Sequence, residues 1–291
     1  MQVVVAQVVD LLGAQAPGGD NWCYYSFPNG KRVHTTYWRC CKSSGPWALE
    51  ELPPLAYGVT DDGLSYFAME LLDGITLQEL VTQGGPLPPA RAVYLIAQAA
   101  AALAEAHARG MVHRDIKPSN LLVTTAGGEP DVVKLIDFGI ARDRGRDHTL
   151  TAADMVVGTP AYMAPEQATG GELTPAADVY ALAATCYFAL TGQPLFDGAT
   201  PEQLLAAQLH DPPARLAARA AVPDDLDALI MRALAKQPAH RFADAAAFSA
   251  ALAQTSLIGQ WRPRRADAAP RAAAPTDLAD ATVPLPAQPM P

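Results

Sequence analysis

The sequence predicts a folded protein of mixed strand and helix, with one strand pair ahead of a helix-rich body. Two observations support this prediction. Half of the 291 residues are hydrophobic, so the chain can bury one large domain or two small lobes that share a core. Regular apolar patterning begins near Ala48 and continues through most of the chain, as folded elements require.

Three zones differ in composition. Residues 1–47 hold three of the four Trp and three of the four Cys, and residues 21–42 show neither a regular hydrophobic period nor clear turn signals. This first zone therefore differs in character from the rest of the chain. The last zone, from about Trp261 onward, is dominated by Ala, Pro and Asp. It cannot bury enough surface to offset its ordering entropy, so we expect a disordered tail.

The strand pair covers residues 56–59 and 65–71. Asp61-Asp62-Gly63 lies between the two segments. An Asp-Gly pair supplies the positive-φ residue that a tight turn needs. These segments therefore predict a β-hairpin.

Helical patterns follow the hairpin. The longest covers residues 89–108, where apolar residues recur at helical spacing and Gly110 follows as a C-cap glycine. Four more patterns are bounded by Pro, Gly or Asp, and they cover residues 176–190, 201–209, 224–235 and 243–252.

Charge and cysteine content exclude several classes of function. The formal net charge of -9 argues against a nucleic-acid partner, which would require a basic face. Cys23, Cys40, Cys41 and Cys186 lack the paired spacing of a metal site. No apolar run is long enough to cross a bilayer. We therefore expect a reduced, cytoplasmic protein without a transmembrane segment.

Two polar motifs follow the first long helix. They are the runs His113-Arg114-Asp115-Ile116-Lys117-Pro118-Ser119-Asn120 and Asp137-Phe138-Gly139. In this order they resemble the catalytic loop and the metal-binding loop of protein kinases. Each motif alone is a weak signal, since Asp-Phe-Gly is usually a turn beside a core aromatic. The ordered pair is a strong one.

The resemblance implies a role for each of these side chains. Phosphoryl transfer requires an acceptor for the hydroxyl proton, a cation near the transferred group, and oxygen ligands for Mg²⁺. In the family's roles, Asp115 orients the substrate hydroxyl, and Lys117 contacts the γ-phosphate, as in the Ser/Thr-specific form of the loop. Asn120 and Asp137 hold the metal ions. The other residues implied are Arg114 and Thr159 in the catalytic set, Leu122 at the nucleotide, and His113, Phe138 and Gly139 in structural roles.

The resemblance continues downstream. The run from Gly158 to Glu166 is similar to the family's P+1 loop, which contacts the peptide substrate, and to its Ala-Pro-Glu end. Asp178 matches the buried helix aspartate that braces the catalytic loop. Arg241 matches the family's late arginine, which pairs with Glu166. We expect Glu166, Asp178 and Arg241 to be structural residues.

Residues 66–74 resemble the strand and hinge that join the two kinase lobes. The resemblance implies that the backbone of Glu70 and Leu72 hydrogen-bonds the adenine and that Met69 is the gatekeeper. An ordinary buried strand is the alternative interpretation of the same residues.

The polar stretch between Asp137 and Glu166 is typical of an activation segment. It contains Thr149 and Thr151, and a phosphate on either could dock onto the Arg114 guanidinium through charge-assisted hydrogen bonds. The alternative is that both threonines are solvated loop residues.

The ATP-clamping lobe of the family is not recognisable. Neither its G-x-G-x-x-G-x-V loop nor its V-A-x-K strand occurs in residues 1–72. Lys31 and Lys42 are the lysines ahead of the hinge, and Lys31 leaves room for the family's next helix, for which residues 47–52 are the candidate. We expect either a lobe replaced by a frame shift, wrong start or gene rearrangement, or a divergent lobe.

The resemblance, which spans residues 55–252, implies an α+β, protein-kinase-like fold with an intact helical C-lobe and a reduced or degenerate β-rich N-lobe. The expected domains are an atypical segment (1–47), remnant N-lobe strands and hinge (48–72), the C-lobe (73–256) and the tail (257–291). The implied function is a Ser/Thr protein kinase that uses ATP and Mg²⁺, acts on protein substrates and forms a homodimer for activation-loop autophosphorylation. The alternative is a pseudokinase or binding scaffold with impaired ATP handling.

Overall fold

A computed structural model describes residues 74–126, 129–136 and 160–264 in full and, between residues 25 and 68, the backbone of short strands. The chain divides into two compact units. One comprises Met1–Thr36, Pro53–Asp73 and Arg271–Pro291, and the other comprises Tyr37–Leu52 and Gly74–Pro270. The catalytic-loop residues belong to the second unit.

The described strands and helices are numbered in chain order. The strands are β1 (Tyr25–Ser26), β2 (Arg32–Val33), β3 (Tyr37–Cys41), β4 (Ala48–Glu51), β5 (Ala56–Val59), β6 (Ser65–Ala68), β7 (Gly74–Thr76), β8 (Leu121–Ala126) and β9 (Glu129–Ile136). The helices are α1 (Leu77–Gly84), α2 (Pro89–Ala108), α3 (Pro165–Ala168), α4 (Pro175–Thr191), α5 (Pro201–His210), α6 (Asp224–Ala233) and α7 (Ala245–Leu252).

The first unit contains two antiparallel strand pairs. Strand β1 pairs with β2, and β5 pairs with β6 with Ala56 opposite Ala68. The second pair confirms the predicted hairpin for Ala56–Val59 and Ser65–Ala68, and residues 69–71 of the predicted second strand lie outside the described residues. The hinge residues Met69, Glu70 and Leu72 lie outside the described residues.

The second unit contains a five-stranded sheet in the order β4-β3-β9-β8-β7. Strands β8 and β9 form its central hairpin, and β3 pairs with the outer edge of β9, so that Trp38 lies opposite Leu135. Gly74 begins β7 in close contact with β8. A Cβ placed at Gly74 would lie 2.4 Å from the Val123 carbonyl oxygen, so only glycine allows this approach.

One expectation about the first 52 residues is wrong. Residues 47–52 are not the stub of a helix, since Ala48–Glu51 forms β4 and pairs with β3 along four residues. A six-residue helix closes too few hydrogen bonds to offset its nucleation cost, whereas the strand satisfies its backbone along a neighbour. Residues 21–42, which show no regular hydrophobic period, contain β1, β2 and β3.

The predicted helices are confirmed, with ends that differ by two residues at most. Helix α2 has the predicted bounds, with Pro89 at its first position. Its C-cap is Arg109, and Gly110 follows with φ of 74°, a left-handed conformation that glycine adopts without strain. Helix α1 was not predicted, although Thr76 and Glu79 form a capping box at its start, with Glu79 N donating to Thr76 Oγ1 over 3.1 Å.

Helix α4 forms the centre of the second unit. Every residue from Ala176 to Leu190 is buried, because the helix is apolar on all sides and has no face for solvent. Helix α2 packs against both α4 and α7. Asp178, in the first turn of α4, is therefore held at a fixed place inside the lobe.

The packed lobe extends into the segment predicted to be a disordered tail. The Trp261 indole nitrogen donates to Asp131 Oδ2 over 2.9 Å, and the Arg91 guanidinium lies 5.4 Å from the centre of its ring. Asp131 is fully buried and also accepts two hydrogen bonds from Arg91, at 2.6 and 3.0 Å. The segment from about Trp261 onward predicts disorder by its average composition, but an average does not reflect the contacts that a single large aromatic residue, Trp261, can make.

Replacing Trp261 with alanine should destabilise the fold by about 1–3 kcal/mol, because a hydrogen bond to a buried carboxylate and a cation–π contact are both lost. Urea unfolding followed by circular dichroism measures this change. The matched control is Ile258→Ala at a nearby side chain that is 39% exposed, where we expect a change within about 0.5 kcal/mol. Equal changes in both variants would contradict the anchoring role of Trp261.

Candidate active site

Three of the predicted catalytic side chains meet at one carboxylate. Lys117 Nζ lies 2.7 Å from Asp115 Oδ2, and Asn120 Nδ2 donates to the same oxygen over 3.1 Å and to the Asp115 carbonyl over 2.8 Å. A 3₁₀ turn, Pro118–Asn120, leads from this loop into β8 and orients the asparagine. The Asp115 and Lys117 side chains are 23% and 21% exposed, so a substrate can reach them.

Asn120 fits a metal-binding role by its chemistry. Its two hydrogen bonds to Asp115 both use Nδ2, and its carbonyl oxygen Oδ1 is the atom type that a hard cation such as Mg²⁺ prefers. The second predicted ligand, Asp137, lies outside the described residues. Within the part of the chain that the structure describes, no three His, Cys, Asp or Glu side chains cluster as a metal site.

Asp178 holds the backbone of the catalytic loop. Its Oδ2 accepts from the His113 N–H over 2.7 Å, and its Oδ1 accepts from the Arg114 N–H over 2.8 Å. Arg114 has φ of 69°, a left-handed conformation that costs a non-glycine residue free energy and persists only where its surroundings enforce it. The buried carboxylate supplies that enforcement next to Asp115.

His107, which the sequence analysis missed, extends this brace to two helices. Its Nε2 lies 2.9 Å from Asp178 Oδ2, and its Nδ1 accepts from the Ala245 N–H at the start of α7 over 3.2 Å. Because Nδ1 accepts, the proton is on Nε2, which donates to Asp178. The sequence offered one signal for this role, which is that His107 is a polar residue on the buried face of α2.

His113 is fully buried. Burial lowers the pKa of its imidazole, and the nearby Asp178 and Asp115 carboxylates oppose this shift. Its Nδ1 accepts from the Asp115 N–H over 3.3 Å. The ring therefore supports the loop from beneath as a neutral group, which agrees with the structural role that the motif implies.

Gln167 is a second residue that the sequence analysis missed. Its Nε2 donates to the Arg114 carbonyl over 2.9 Å, and its Oε1 accepts from the Ala164 N–H over 3.0 Å. It thereby joins the catalytic loop to the end of the predicted P+1 loop. Its partners are backbone atoms, which leave no pattern in the sequence.

Arg241 and Glu166 form the ion pair that the sequence predicts. The guanidinium and the carboxylate make two parallel hydrogen bonds of 2.7 Å, the bidentate geometry that gives the strongest arginine pairs. The Arg241 side chain is fully buried. Its nitrogens also donate to the carbonyls of Ala176, Ala235 and Lys236.

The structure describes only some of the predicted site residues. Leu122 lies on β8, 8% exposed, two positions after Asn120. The residues that lie outside the described ranges are Lys31, Lys42, Met69, Glu70, Leu72, Asp137, Phe138, Gly139, Thr149, Thr151 and Thr159.

The fold and this loop define a class of protein. Residues 54–254 match the model of the protein kinase domain, and the chain belongs to that family. Among curated relatives, it is 46% identical over 187 residues to serine/threonine-protein kinase PknD of Mycobacterium tuberculosis. The matched residues are 63% of this chain and 27% of the relative. The chain is 38% identical over 236 residues to serine/threonine-protein kinase pkn3 of Myxococcus xanthus, covering 79% and 42%. The chain thus spans less than half the length of these relatives.

Solved structures agree with this assignment. The crystal structure of the Mycobacterium tuberculosis PknI kinase domain matches with a TM-score of 0.51 and 30% identity over 67% of each chain. The structure of Rad53 with AMP-PNP matches with a TM-score of 0.55 and 23% identity over 77% of this chain and 51% of that chain, and it supports the fold alone. In the described part of the chain, no helix combines the length and apolar character needed to cross a membrane.

Lys236 follows α6, and its side chain reaches the end of α5. Its Nζ donates to the carbonyls of Ala207 and Gln208, at 3.1 and 2.7 Å, in the last turn of that helix. The nitrogen also lies 4.4 Å from the centre of the Phe196 ring. Burial lowers the pKa of Lys236 to about 8.

This lowered pKa predicts a pH dependence of stability. Between pH 8 and roughly 10.4, the usual pKa of lysine, the unfolded chain keeps a proton that folded Lys236 releases. The contribution of Lys236 to the free energy of unfolding should therefore rise with pH through this window. The difference in unfolding free energy between the parent and Lys236→Met, measured in urea at pH 7 and pH 9.5, should shift in favour of the parent at the higher pH. A constant difference would contradict the prediction.

Proposed function

We propose that this chain transfers the γ-phosphate of ATP to serine or threonine hydroxyls of proteins. The observation that carries the proposal is the convergence of Lys117 and Asn120 on the Asp115 carboxylate, in a loop whose backbone Asp178 holds. The family membership and the kinase names of the relatives support the same activity.

Each residue of the loop has a role in this reaction. Asp115 orients the substrate hydroxyl and accepts its proton while the hydroxyl oxygen bonds to the γ-phosphorus and the bond from phosphorus to the ADP oxygen breaks. Lys117, 2.7 Å from Asp115, places positive charge beside the transferred group. Asn120 and Asp137 would hold Mg²⁺, which supplies charge neutralisation at the phosphates. Arg114 and Thr159 complete the catalytic set.

Nucleotide binding and regulation of the activity would involve several residues outside the described ranges. We propose that the backbone of Glu70 and Leu72 binds the adenine, with Met69 and Leu122 lining its site. Phosphorylation of Thr149 or Thr151 within a homodimer would place a phosphate near Arg114 and order the activation segment.

We also propose the domain arrangement that the resemblance implies. Residues 73–256 would form the C-lobe, residues 48–72 the remnant N-lobe strands and hinge, and residues 1–47 the atypical segment in place of most of the N-lobe. Because the reaction consumes ATP, we place the protein in the cytoplasm.

A binding scaffold without catalysis is the second candidate. It is favoured by the absence of the Gly-rich loop and the V-A-x-K lysine from the sequence before the hinge, and by a family match that begins only at residue 54. Loss of phosphate positioning removes both orientation and electrostatic stabilisation of the transition state.

One assay distinguishes the two candidates. Purified protein is incubated with labelled ATP, Mg²⁺ and a generic protein substrate, in parallel with an Asp137→Ala variant. The kinase proposal predicts transfer to Ser and Thr that is lost in the variant. No transfer, together with no ATP-dependent thermal shift, would support the scaffold instead.

A further inference from the structure

Gln208 is a fully buried amide at which three parts of the lobe meet. Its Oε1 accepts a hydrogen bond from the Tyr180 hydroxyl of α4. Its Nε2 donates to the Ala161 carbonyl over 2.7 Å and to the Pro160 carbonyl over 3.3 Å. A buried amide is tolerated only when its polar atoms are satisfied, and here both are.

The two carbonyls belong to the start of the P+1 loop. Pro160 and Ala161 lie in a 3₁₀ turn, Pro160–Tyr162, directly after Thr159. The other end of the loop, at Ala164, is joined to the catalytic loop by Gln167. Two glutamine side chains therefore hold the two ends of one short segment.

Helix α5 has little other attachment of this kind. Its buried residues are Ala207 and Gln208, and the Lys236 ammonium holds the carbonyls of the same two residues. The Gln208 amide thus links this helix to the P+1 loop through polar contacts. A leucine or methionine of similar size would fill the space without bonding the loop.

We propose that Gln208 is a positioning residue for the peptide substrate. Gln208 fixes the start of the P+1 loop, and the loop holds the peptide residue that follows the phosphate acceptor. The acceptor hydroxyl is thereby kept at Asp115. This inference rests on the proposed kinase activity. It predicts that Gln208 affects the KM for the peptide and does not affect the KM for ATP.

The test compares Gln208→Met with Tyr180→Phe. The methionine removes both bonds to the loop, whereas the phenylalanine removes the bond at the other end of the same amide and leaves the loop bonds in place. Kinetics are measured with a Ser/Thr peptide at saturating ATP and with ATP at saturating peptide. Hydrogen exchange of the amides in residues 161–168 is measured on the same proteins by mass spectrometry.

We expect Gln208→Met to raise the peptide KM by about 10-fold, the effect of losing both side-chain hydrogen bonds to the loop carbonyls, with an unchanged KM for ATP and faster exchange in residues 161–168. Tyr180→Phe should change the peptide KM by less than about twofold. Equal effects of the two variants on the peptide KM, or an unchanged KM in Gln208→Met, would overturn the proposal.

The two proposals fail in different ways. If the parent chain transfers no phosphate, the kinase proposal fails, and the exchange measurement alone decides the role of Gln208: unchanged exchange in Gln208→Met rejects it. If Gln208→Met does not fold by circular dichroism, Gln208→Leu replaces it, because leucine also fills the space and cannot donate to the loop carbonyls.

Discussion

Replacing Asp115 with asparagine should lower the rate of phosphate transfer to a protein substrate by a factor of about 10² to 10⁴, the contribution of a positioned proton acceptor. The amide has the size of the carboxylate and can still accept from Lys117 and Asn120, so the loop should keep its geometry. It cannot take up the hydroxyl proton. Steady-state kinetics with labelled ATP should show the loss in kcat, with little change in the KM for ATP.

The control for this variant is Glu105→Gln, the same chemical change on α2 at a side chain that is 38% exposed. We expect the parent rate from it. Full activity in Asp115→Asn, or an equal loss in both variants, would exclude the role proposed for Asp115.

Replacing Arg241 with alanine should reduce the free energy of unfolding by about 3–5 kcal/mol, the usual cost of breaking a buried ion pair by removing one partner. Glu166, only 11% exposed, would lose its counter-charge. The carbonyls of Ala176, Ala235 and Lys236 would lose a donor at the same time. Urea unfolding at neutral pH measures the change.

Arg109→Ala provides the comparison, because it breaks an ion pair of the same chemistry and length in solvent. Arg109 Nη2 lies 2.7 Å from Glu105 Oε1, and the two side chains are 41% and 38% exposed. We expect a loss of about 0–1 kcal/mol there. Similar losses in the two variants would show that the buried pair contributes no more than a surface pair.

Helices α2, α4, α5, α6 and α7 could be predicted because their apolar patterns span eight or more residues and are bounded by Pro, Gly or Asp. Helix α1 was missed because its signal is a capping box between Thr76 and Glu79 rather than a long period. The sequence of β4 favours helix locally, and its strand form depends on pairing with β3.

The site could be predicted where a side chain belongs to a contiguous motif. Asp115, Lys117 and Asn120 lie within one loop, and their convergence follows from its length. His107, Gln167 and Gln208 could not be found this way, because their partners lie far away in the chain and several are backbone atoms. Only the folded lobe brings such groups together.

The contact between Gly74 and the Val123 carbonyl has a genetic consequence. Every missense change of the Gly74 codon adds a Cβ, and with it a steric clash at the first residue of β7. Thr76, two positions later, caps α1, so the clash would be passed on to the start of that helix. Saturation mutagenesis selected for folding should therefore recover glycine at position 74 and tolerate variation at the exposed surface of α1.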